Sequence, residues 1–526
     1  MVNQASSVSP LRKIFGATVL IMGVTVFSRL MGFIRELFMA AKYGTSMEAD
    51  AFVAAFTIPT LLLTIIGGAL SATLIPLIIK LKTENHLVRI EKLLGSVFVF
   101  ICFSLTSIAI SLYFLMDEFV KIYVSGFSPE GLTLTAEMLI IILPAFVLIG
   151  LIGFLSAILN ASQHYLAPAM GSLFYNGGII IGLVYFSSQF GVQSLMVGMA
   201  VGISVHFLIL IVVNIYKKNY FKPHLTINQD LKQFARLIFP IFLSMAAFQV
   251  NFIVDRMMGS TLDEGSLAAL NYAQRVTQLP QSIFVGALVL PLLPVVAEQI
   301  SKHDMESTNR LLLQCYRLIA IVLFPIMAVL IILPEPIISI LFQRGQFDIQ
   351  SVHLTSTALV FYSLTLFSFA MRDIMTRTFY ALHDTWTPVV NNLILVALNI
   401  GFMLILVPRY GIIGIAGSTS LAAFIAYIRL RFILNKKLSM QNYGRQQTNA
   451  WRQIILNVII FSAVVYSFYH LGAQILTNPS GWHLWVRTLS SFILGSVVYL
   501  LLVFRLNTEE VIWLKERLRL TKRKTH

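Results

Sequence analysis

Long apolar runs separated by short polar segments make up most of this sequence. A helix needs about 20 predominantly apolar residues to cross a bilayer. Of the 526 residues, 57% are hydrophobic and 12% are charged, whereas an ordinary soluble domain carries about 25% charged residues. So few charges could not cover the surface of a soluble protein of this length. The pattern therefore predicts a polytopic helical membrane protein and excludes a soluble enzyme, a disordered scaffold and a secreted modular protein.

The apolar runs predict an all-α fold with about fourteen transmembrane helices. Fourteen spans of about 20 residues would use about 280 residues and leave short loops. The predicted spans cover residues 14–41, 51–79, 93–116, 133–159, 165–186, 191–216, 235–258, 267–297, 311–333, 352–379, 387–408, 411–435, 452–475 and 482–504.

Basic residues alternate between the predicted loops. The segments near 80–92, 217–236, 302–310, 372–377 and 429–452 are rich in Lys and Arg, and the intervening loops are poorer. Because cytoplasmic loops of membrane proteins carry the excess of Lys and Arg, this alternation predicts that both termini are cytoplasmic. An excess of Lys and Arg in cytoplasmic loops also explains the net charge of +15, so the charge does not imply binding of nucleic acid. Anionic membrane lipids are the expected partners of the basic C-terminal tail.

The sequence repeats itself at an offset of about 220 residues. Pro59 and Pro280 lie 221 apart, as do Arg35 and Arg256, and the Ala–x6–Pro pattern ending at Pro168 recurs 220 residues later. Six predicted spans separate the copies, so both copies have the same orientation in the membrane. We therefore predict two parallel six-helix bundles, 1–220 and 221–440, followed by two further helices and a basic tail in 441–526. Such halves enclose a central cavity and alternate its access by rocking.

Among the arginines inside predicted spans, where each costs about 2.5–3.5 kcal/mol on insertion scales, three are candidates for an anion site. Arg29 and Arg35 are in span one, and Arg275 is in span eight. Arg35 and Arg275 fall at similar depth in the two halves, where a pair of guanidinium groups would bind a phosphate or diphosphate through its bidentate fork. Two separately satisfied structural arginines, with Arg35 paired to Glu36, are the alternative.

A smaller polar set includes Asp255 near the end of span seven. Asn399 in span eleven and Thr419 in span twelve could face this carboxylate. An acid, an amide and a hydroxyl would supply oxygen ligands for a hard cation such as Na⁺. A structural hydrogen-bond cluster explains the same residues.

Catalytic motifs are missing from the sequence. It contains no Walker A, GxSxG, HExxH or CxxC pattern, so the sequence predicts a transporter rather than an enzyme. The two cysteines, Cys102 and Cys315, lie in apolar runs and imply no disulfide framework.

Several segments together resemble the MurJ (MviN) family of lipid II flippases, in the superfamily of multidrug, oligosaccharidyl-lipid and polysaccharide exporters. They are Phe27–Arg35, Thr45–Pro59, Ala157–Pro168, Val254–Arg256, Glu264–Pro280, Leu341–Phe347 and Phe379–Pro388. The resemblance implies a cationic central cavity and a groove at helices thirteen and fourteen for a polyprenyl tail. It also implies transport of lipid II, an undecaprenyl-diphosphate-linked disaccharide-pentapeptide, from the inner to the outer leaflet of the bacterial cytoplasmic membrane.

The resemblance also suggests site residues. Family cavity arginines correspond to Arg29, Arg35 and Arg275, and Ser28 and Asp50 in the matching segments complete the candidate substrate-binding set. A family sodium site corresponds to Asp255, Asn399 and Thr419, with a backbone contribution near Ile415. No cofactor is expected beyond Na⁺ or the membrane potential as the energy source, and the protein is expected to be a monomer.

The sequence departs from the family pattern in span two. Members commonly have an Arg-Arg pair and then Glu-Gly-Ala after the proline, where this chain has Leu63, Thr64 and Gly67. The resemblance therefore implies a less charged cavity than usual. A flippase for another polyprenyl-linked glycan and a cation-coupled drug antiporter are the alternative functions. A membrane glycosyltransferase would need a large outer loop, and every predicted outer loop is short.

Overall fold

A computed structural model of the chain describes residues 10–219, 221–224, 226–285, 295–302, 304–438, 445–476, 481–506 and 511–512. Every regular element in these ranges is helical, which confirms the predicted all-α class. Among the described residues, twelve helices are long and apolar enough to cross a membrane. The predicted spans 14–41 and 267–297 are not among these twelve, so the count of fourteen stays a prediction, as does the side of the termini.

The chain forms two compact units, Met1–Ala268 and Ala269–His526. The domain boundaries predicted at residues 220 and 440 come from the sequence repeat and not from helix packing. They stay predictions. The helices of the first unit are α1 (Pro10–Tyr43), α2 (Met47–Thr83), α3 (Leu87–Phe114), α4 (Met116–Tyr123), α5 (Pro129–Ala161), α6 (Leu166–Ala169), α7 (Gly171–Ile181), a π-helical turn (Gly182–Phe186), α8 (Ser187–Phe190), α9 (Gln193–Tyr216) and α10 (Gln229–Ser260).

Helix α11 (Ser266–Pro280) begins at the boundary between the units and continues into a π-helical turn, Gln281–Val285. The later helices all lie in the second unit. They are α12 (Met305–Ile332), α13 (Pro334–Phe342), α14 (Ile349–Ser363), α15 (Thr365–Ala381), α16 (Trp386–Tyr410), α17 (Ile412–Lys437), α18 (Arg445–Ile475) and α19 (Trp482–Phe504).

Turn geometry repeats at the same offset as the sequence. Left-handed backbone angles occur at Gly44 (φ 55°) and Gly265 (φ 85°), and again at Gly191 (φ 60°) and Gly411 (φ 54°). The non-glycine pair Gln163 and His383 has φ values of 61° and 57°. Left-handed angles are uncommon for a non-glycine residue, so three matched pairs 220 or 221 residues apart are a structural counterpart of the predicted repeat.

Helix α5 is the centre of the first unit. It packs against α2, α3 and α9, and most of its middle is buried. Helices α7 and α9 approach each other more closely still, because a Cβ at Gly178 would lie 2.1 Å from the carbonyl oxygen of Gly198. Small residues that let helix backbones approach are the usual packing device in membranes. This packing fixes the walls of the site described below.

The linker between α9 and α10 docks on α3. The Ser96 hydroxyl accepts a hydrogen bond from Thr226 N at 3.0 Å, and Phe221 packs edge-on against Phe154. Arg89 at the start of α3 makes a bidentate ion pair with Asp230 at the start of α10, at 3.0 and 2.6 Å. These contacts attach α10, which is the first helix of the second sequence repeat, to the first unit.

Candidate functional site

Arg35 lies in a buried cluster where α1 meets α2 and α7. Its side chain is 2% exposed, and its Nη1 donates to Asn176 Oδ1 at 2.9 Å. Its Nη2 pairs with the carboxylate of Glu36, which is fully buried. The guanidinium carbon also lies 4.1 Å from the centre of the Phe56 ring. Arg35 therefore has charge, amide and aromatic partners within the first unit, while its buried Nε has no hydrogen-bond partner among the described residues.

Arg29 and Ser28 have different surroundings two turns earlier on α1. The Arg29 side chain is exposed on the surface of the first unit. Ser28 is buried, and its hydroxyl has no hydrogen-bond partner in the described part of the chain. Of Arg29 and Arg35, Arg29 is thus the one whose guanidinium is accessible, and its role in binding stays a prediction.

A polar cavity of about 560 Å³ lies within the first unit between α2, α5, α7 and α9. Its wall carries hydroxyl, amide and imidazole groups, and no Asp, Glu, Lys or Arg lines it within the described ranges. Leu63, Thr64 and Gly67 are part of this wall, so the positions that depart from the family pattern face the cavity. The polar lining residues are Thr60, Thr64, Ser71, Ser156, Asn160, Tyr165, Ser172, Tyr175 and His206.

This cavity continues toward one end of the unit. A second cavity of about 680 Å³ shares Asn160 and Tyr165 with the first and reaches Lys82 and Thr83 at the end of α2. The ring of Tyr175 in the wall lies 6.2 Å from Phe56, on which Arg35 stacks. The uncharged polar wall of the first cavity thus lies between the buried Arg35 cluster and Lys82, which lines the second cavity.

Asp50 binds backbone amides. Its carboxylate accepts hydrogen bonds from Gly265 N at 2.8 Å and Ala268 N at 2.6 Å, and its side chain is buried. Carboxylates at a helix N-terminus satisfy amide groups that have no partner within the helix. The structure therefore places Asp50 as the cap of α11, and substrate binding by this residue stays a prediction.

Arg275 lies in the middle of α11, in the second unit. It is partly buried, and its Nη1 donates to Gln278 Oε1 at 3.3 Å one turn further along the helix. Because Gln278 is uncharged, this contact is a hydrogen bond and not an ion pair. Its part in anion binding stays a prediction.

The predicted ion ligands are divided between the units. Asp255 on α10 is buried in the first unit and accepts a hydrogen bond from Asn251 at 3.4 Å. In the second unit Asn399 is buried on α16, and the Thr419 hydroxyl donates to the Ile415 carbonyl at 3.1 Å. Thr419 and Ile415 are therefore adjacent on one turn of α17. Sodium binding by this set stays a prediction.

Glu36 is the partner of Arg35 that the sequence suggests, whereas Asn176, Phe56 and the neutral cavity were overlooked. Asn176 and Phe56 lie on other helices, at sequence distances that no local pattern reveals. The cavity residues are single Ser, Thr, Asn and Tyr residues within apolar spans, each unremarkable alone. Their signal is that several uncharged polar residues recur at similar depth on neighbouring spans.

Comparison with known proteins identifies the family. A family model described as "Lipid II flippase MurJ" matches residues 39–483. The chain belongs to the lipid II flippase MurJ family. A relative from Buchnera aphidicola subsp. Baizongia pistaciae, "Probable lipid II flippase MurJ", is 27% identical over 89% of this chain and 92% of its own. A relative of the same name from Rhizobium meliloti is 29% identical over 77% of each chain.

Solved structures agree with the MurJ assignment. A lipid II flippase MurJ in an inward closed conformation matches with a TM-score of 0.78 and 29% identity, over 92% of this chain and 98% of that one. An inward-facing MATE transporter of the MOP superfamily matches in fold, with a TM-score of 0.68 and 14% identity over 80% of this chain. MurJ membership confirms the predictions of a transporter instead of an enzyme and of a multi-pass protein of the bacterial inner membrane.

Proposed function

We propose that this chain moves lipid II from the inner to the outer leaflet of the cytoplasmic membrane by alternating access. The observation that carries the proposal is the match to the MurJ family model from residue 39 to residue 483. In this proposal the chain has fourteen spans, both termini are cytoplasmic, and it works as a monomer. The substrate is the undecaprenyl-diphosphate disaccharide-pentapeptide.

The described residues suggest how the headgroup is held. The diphosphate needs cationic partners, and the candidates are Arg29, which is exposed on α1, and Arg275, which is partly buried in α11. Arg35 is instead paired with Glu36. The disaccharide presents hydroxyl and amide groups, which suit the uncharged polar wall around Asn160, Ser172 and Tyr175. Entry past Lys82, at the predicted cytoplasmic end of α2, would suit an anionic substrate from the inner leaflet.

The cavity wall also bears on the alternatives. A drug antiporter for cationic compounds would favour an acidic, aromatic cavity, whereas the described residues place no carboxylate in this wall. A flippase for another polyprenyl-linked glycan would use the same diphosphate and sugar chemistry. The headgroup is therefore the property that the experiment must test.

Depletion complementation tests this function. In cells depleted of their own lipid II flippase, this chain should restore growth and the appearance of lipid II at the outer leaflet. Arg275→Ala should fail at equal protein level, while the control Lys217→Gln, an exposed residue after α9, should restore both. An inserted wild-type protein that restores neither would contradict the proposal and favour the other glycan.

We also propose that Na⁺ binding at Asp255, Asn399, Thr419 and the Ile415 carbonyl supplies the energy for transport. The purified protein should then be stabilised more by Na⁺ than by K⁺, and Asp255→Asn should remove the difference. Equal thermal stability of the unmutated protein in the two salts would contradict sodium coupling and favour the membrane potential.

A further inference from the structure

A third cavity in the first unit is almost wholly apolar. It measures about 730 Å³ and lies between α2, α3 and α10. Leu61 and Ile65 of α2, Phe100 and Ile108 of α3, and Phe239 of α10 are typical of its wall. Ser104 is its one polar lining residue among the residues described. Chemistry of this kind favours a hydrocarbon ligand over any polar one.

The cavity is long in the direction of the helices. On α10 its lining runs from Phe234 to Ile253, which is about 28 Å at 1.5 Å per residue. One leaflet contributes about 15 Å, half of a hydrocarbon core of about 30 Å, and the lining on α3 runs over about 18 Å, from Phe100 to Leu112. The space is therefore long enough for one extended acyl chain of one leaflet.

Helix α10 packs against α2 but only sparsely against α3. Residues 235–254 are a membrane-spanning stretch, yet none of the side chains described there is buried. The approach to α2 is close, since a Cβ at Gly68 would lie 2.6 Å from the sulfur of Met245, so the gap lies on the α3 side of α10. Because α2, α3 and α10 are all candidate membrane spans, the gap between them is accessible to chains of the surrounding lipid.

Positive charge collects at one end of this gap. Lys92 near the start of α3 is exposed, as are Lys232 and Arg236 near the start of α10. In sequence, Phe234 and Ala235 of the cavity wall lie between Lys232 and Arg236. Asp230 at this end is paired with Arg89, and Glu91 next to Lys92 is the other acid on the first turns of α3 and α10. Lys92, Lys232 and Arg236 outnumber Glu91, so the end beside the apolar wall keeps a net positive charge that an anionic headgroup would complement.

We propose that this gap is a binding site for an anionic phospholipid of the inner leaflet. One acyl chain lies along the apolar wall between α3 and α10, and the headgroup phosphate binds Lys92, Lys232 and Arg236. The lipid fills the space beside α10 and supports that helix against the first unit. The site is separate from the polar cavity and does not depend on the transported substrate.

Native mass spectrometry of the purified, delipidated full chain tests the charged end. Dioleoyl phosphatidylglycerol and dioleoyl phosphatidylcholine share the same chains and differ in net charge. The phosphatidylglycerol should bind at least about tenfold more tightly, since each basic residue near the surface contributes about 1 kcal/mol. Lys92→Gln/Lys232→Gln/Arg236→Gln should abolish this preference, and Lys217→Gln should keep it. Equal preference in the triple variant and the wild type would overturn the proposal.

A second pair of variants tests the apolar wall. Ser104→Trp places an indole in the cavity, while Ser107→Trp places one on the exposed side of the same helix. We expect Ser104→Trp to lose binding of both lipids and Ser107→Trp to retain it. Indistinguishable binding by the two variants would mean that the lipid coats the surface without a site. Displacement of phosphatidylglycerol by an uncharged polyprenol would assign the gap to the substrate's chain and also overturn the proposal.

Discussion

Asp50 Oδ2 accepts a hydrogen bond from the backbone amide of Gly265 at 2.8 Å, across 215 residues of sequence. The contact is reciprocal, because Glu264 Oε1 accepts one from the amide of Met47, the first residue of α2, at 2.8 Å. The starts of α2 and α11 therefore cap each other. Asp50 in α2 accepts from backbone amides at the start of α11, and Glu264 before α11 accepts from the amide of Met47 in α2. Gly265 fits here because a Cβ would lie 2.1 Å from the carbonyl oxygen of Thr45.

Replacing Asp50 should destabilise the fold. Asp50→Ala removes two buried charge-assisted hydrogen bonds, and we expect the free energy of unfolding to fall by about 2 kcal/mol. Asp50→Asn keeps an acceptor oxygen and should lose less. Thermal unfolding in detergent measures both, with exposed Glu48→Ala as the control. A stable Asp50→Ala protein that cannot transport would instead place Asp50 at the substrate.

Arg35 should matter for stability as well as for transport. Arg35→Ala leaves Glu36 charged and buried without its partner, which costs about 3–5 kcal/mol for such pairs. We therefore expect low protein levels from the single variant. Arg35→Leu/Glu36→Leu removes both charges and should recover most of the yield. If the double variant also recovers lipid II transport, Arg35 is a structural residue and the diphosphate is bound elsewhere.

The Arg89–Asp230 pair should couple the start of α10 to the start of α3. A double-mutant cycle with alanine at each position should give a coupling energy of about 1 kcal/mol, because the Arg89 side chain is 45% exposed and solvent weakens the pair. Additive effects of the two substitutions would show that the pair contributes nothing.

Gly95→Ala tests the close packing of the α9–α10 linker on α3, because the added methyl group would clash with the linker. Alanine normally stabilises a helix interior relative to glycine by about 1 kcal/mol. At Gly95, however, its Cβ would lie 2.2 Å from the Lys222 carbonyl oxygen, so we expect destabilisation. Gly177→Ala, where a Cβ meets nothing within 4 Å, is the matched control and should be neutral or stabilising. Equal thermal midpoints in the two variants would contradict the docked linker.

The sequence was sufficient for the all-α class and for twelve of the spans, because the bilayer imposes a length and a composition on each span. It also contained the repeat, since Pro59 and Pro280 lie 221 residues apart. The left-handed angles at Gln163 and His383 could not be predicted, because neither residue type requires them. They follow from the backbone bonds that end α5 and α15, such as His383 N to Tyr380 O at 3.0 Å.

The substrate-binding residues were harder to predict, because the charge of an arginine in the sequence does not reveal which residues it contacts in the fold. Arg29 and Arg35 look equivalent in the sequence, six residues apart on one helix. The structure separates them, since Arg35 is buried against Glu36 and Asn176 while Arg29 is exposed. That difference depends on α7, which lies 140 residues further along the chain.

Asp384, in the turn between α15 and α16, should give a pH-dependent contribution to stability. Partial burial alone would raise its pKa, but hydrogen bonds from Lys437 and Thr387 outweigh this and lower the pKa from 3.8 to about 2. The carboxylate therefore stabilises the fold above about pH 4, and this contribution is lost as the pH falls toward 2.

Asp384→Ala should accordingly lower the free energy of unfolding by about 1 kcal/mol at pH 7, as loss of a helix cap does. Thermal midpoints of the variant and the wild type should converge as the pH falls from 4 to 2. The exposed pair of Lys302 and Glu298, broken by Glu298→Ala, should give a smaller difference at pH 7. A difference for Asp384→Ala that is constant down to pH 2 would contradict the lowered pKa.

Cysteine labelling should establish the orientation and therefore the direction of transport. Ser125, after α4, and Ser301, before α12, are both exposed and lie on opposite sides of the membrane in the predicted topology. With Cys102 and Cys315 replaced by alanine, we expect a membrane-impermeant thiol reagent to label Ser125→Cys in intact cells and to spare Ser301→Cys. Both positions should react once the cells are permeabilised, which controls for access. Labelling of Ser301→Cys in sealed cells would place the basic loops outside, and the substrate would then move inward.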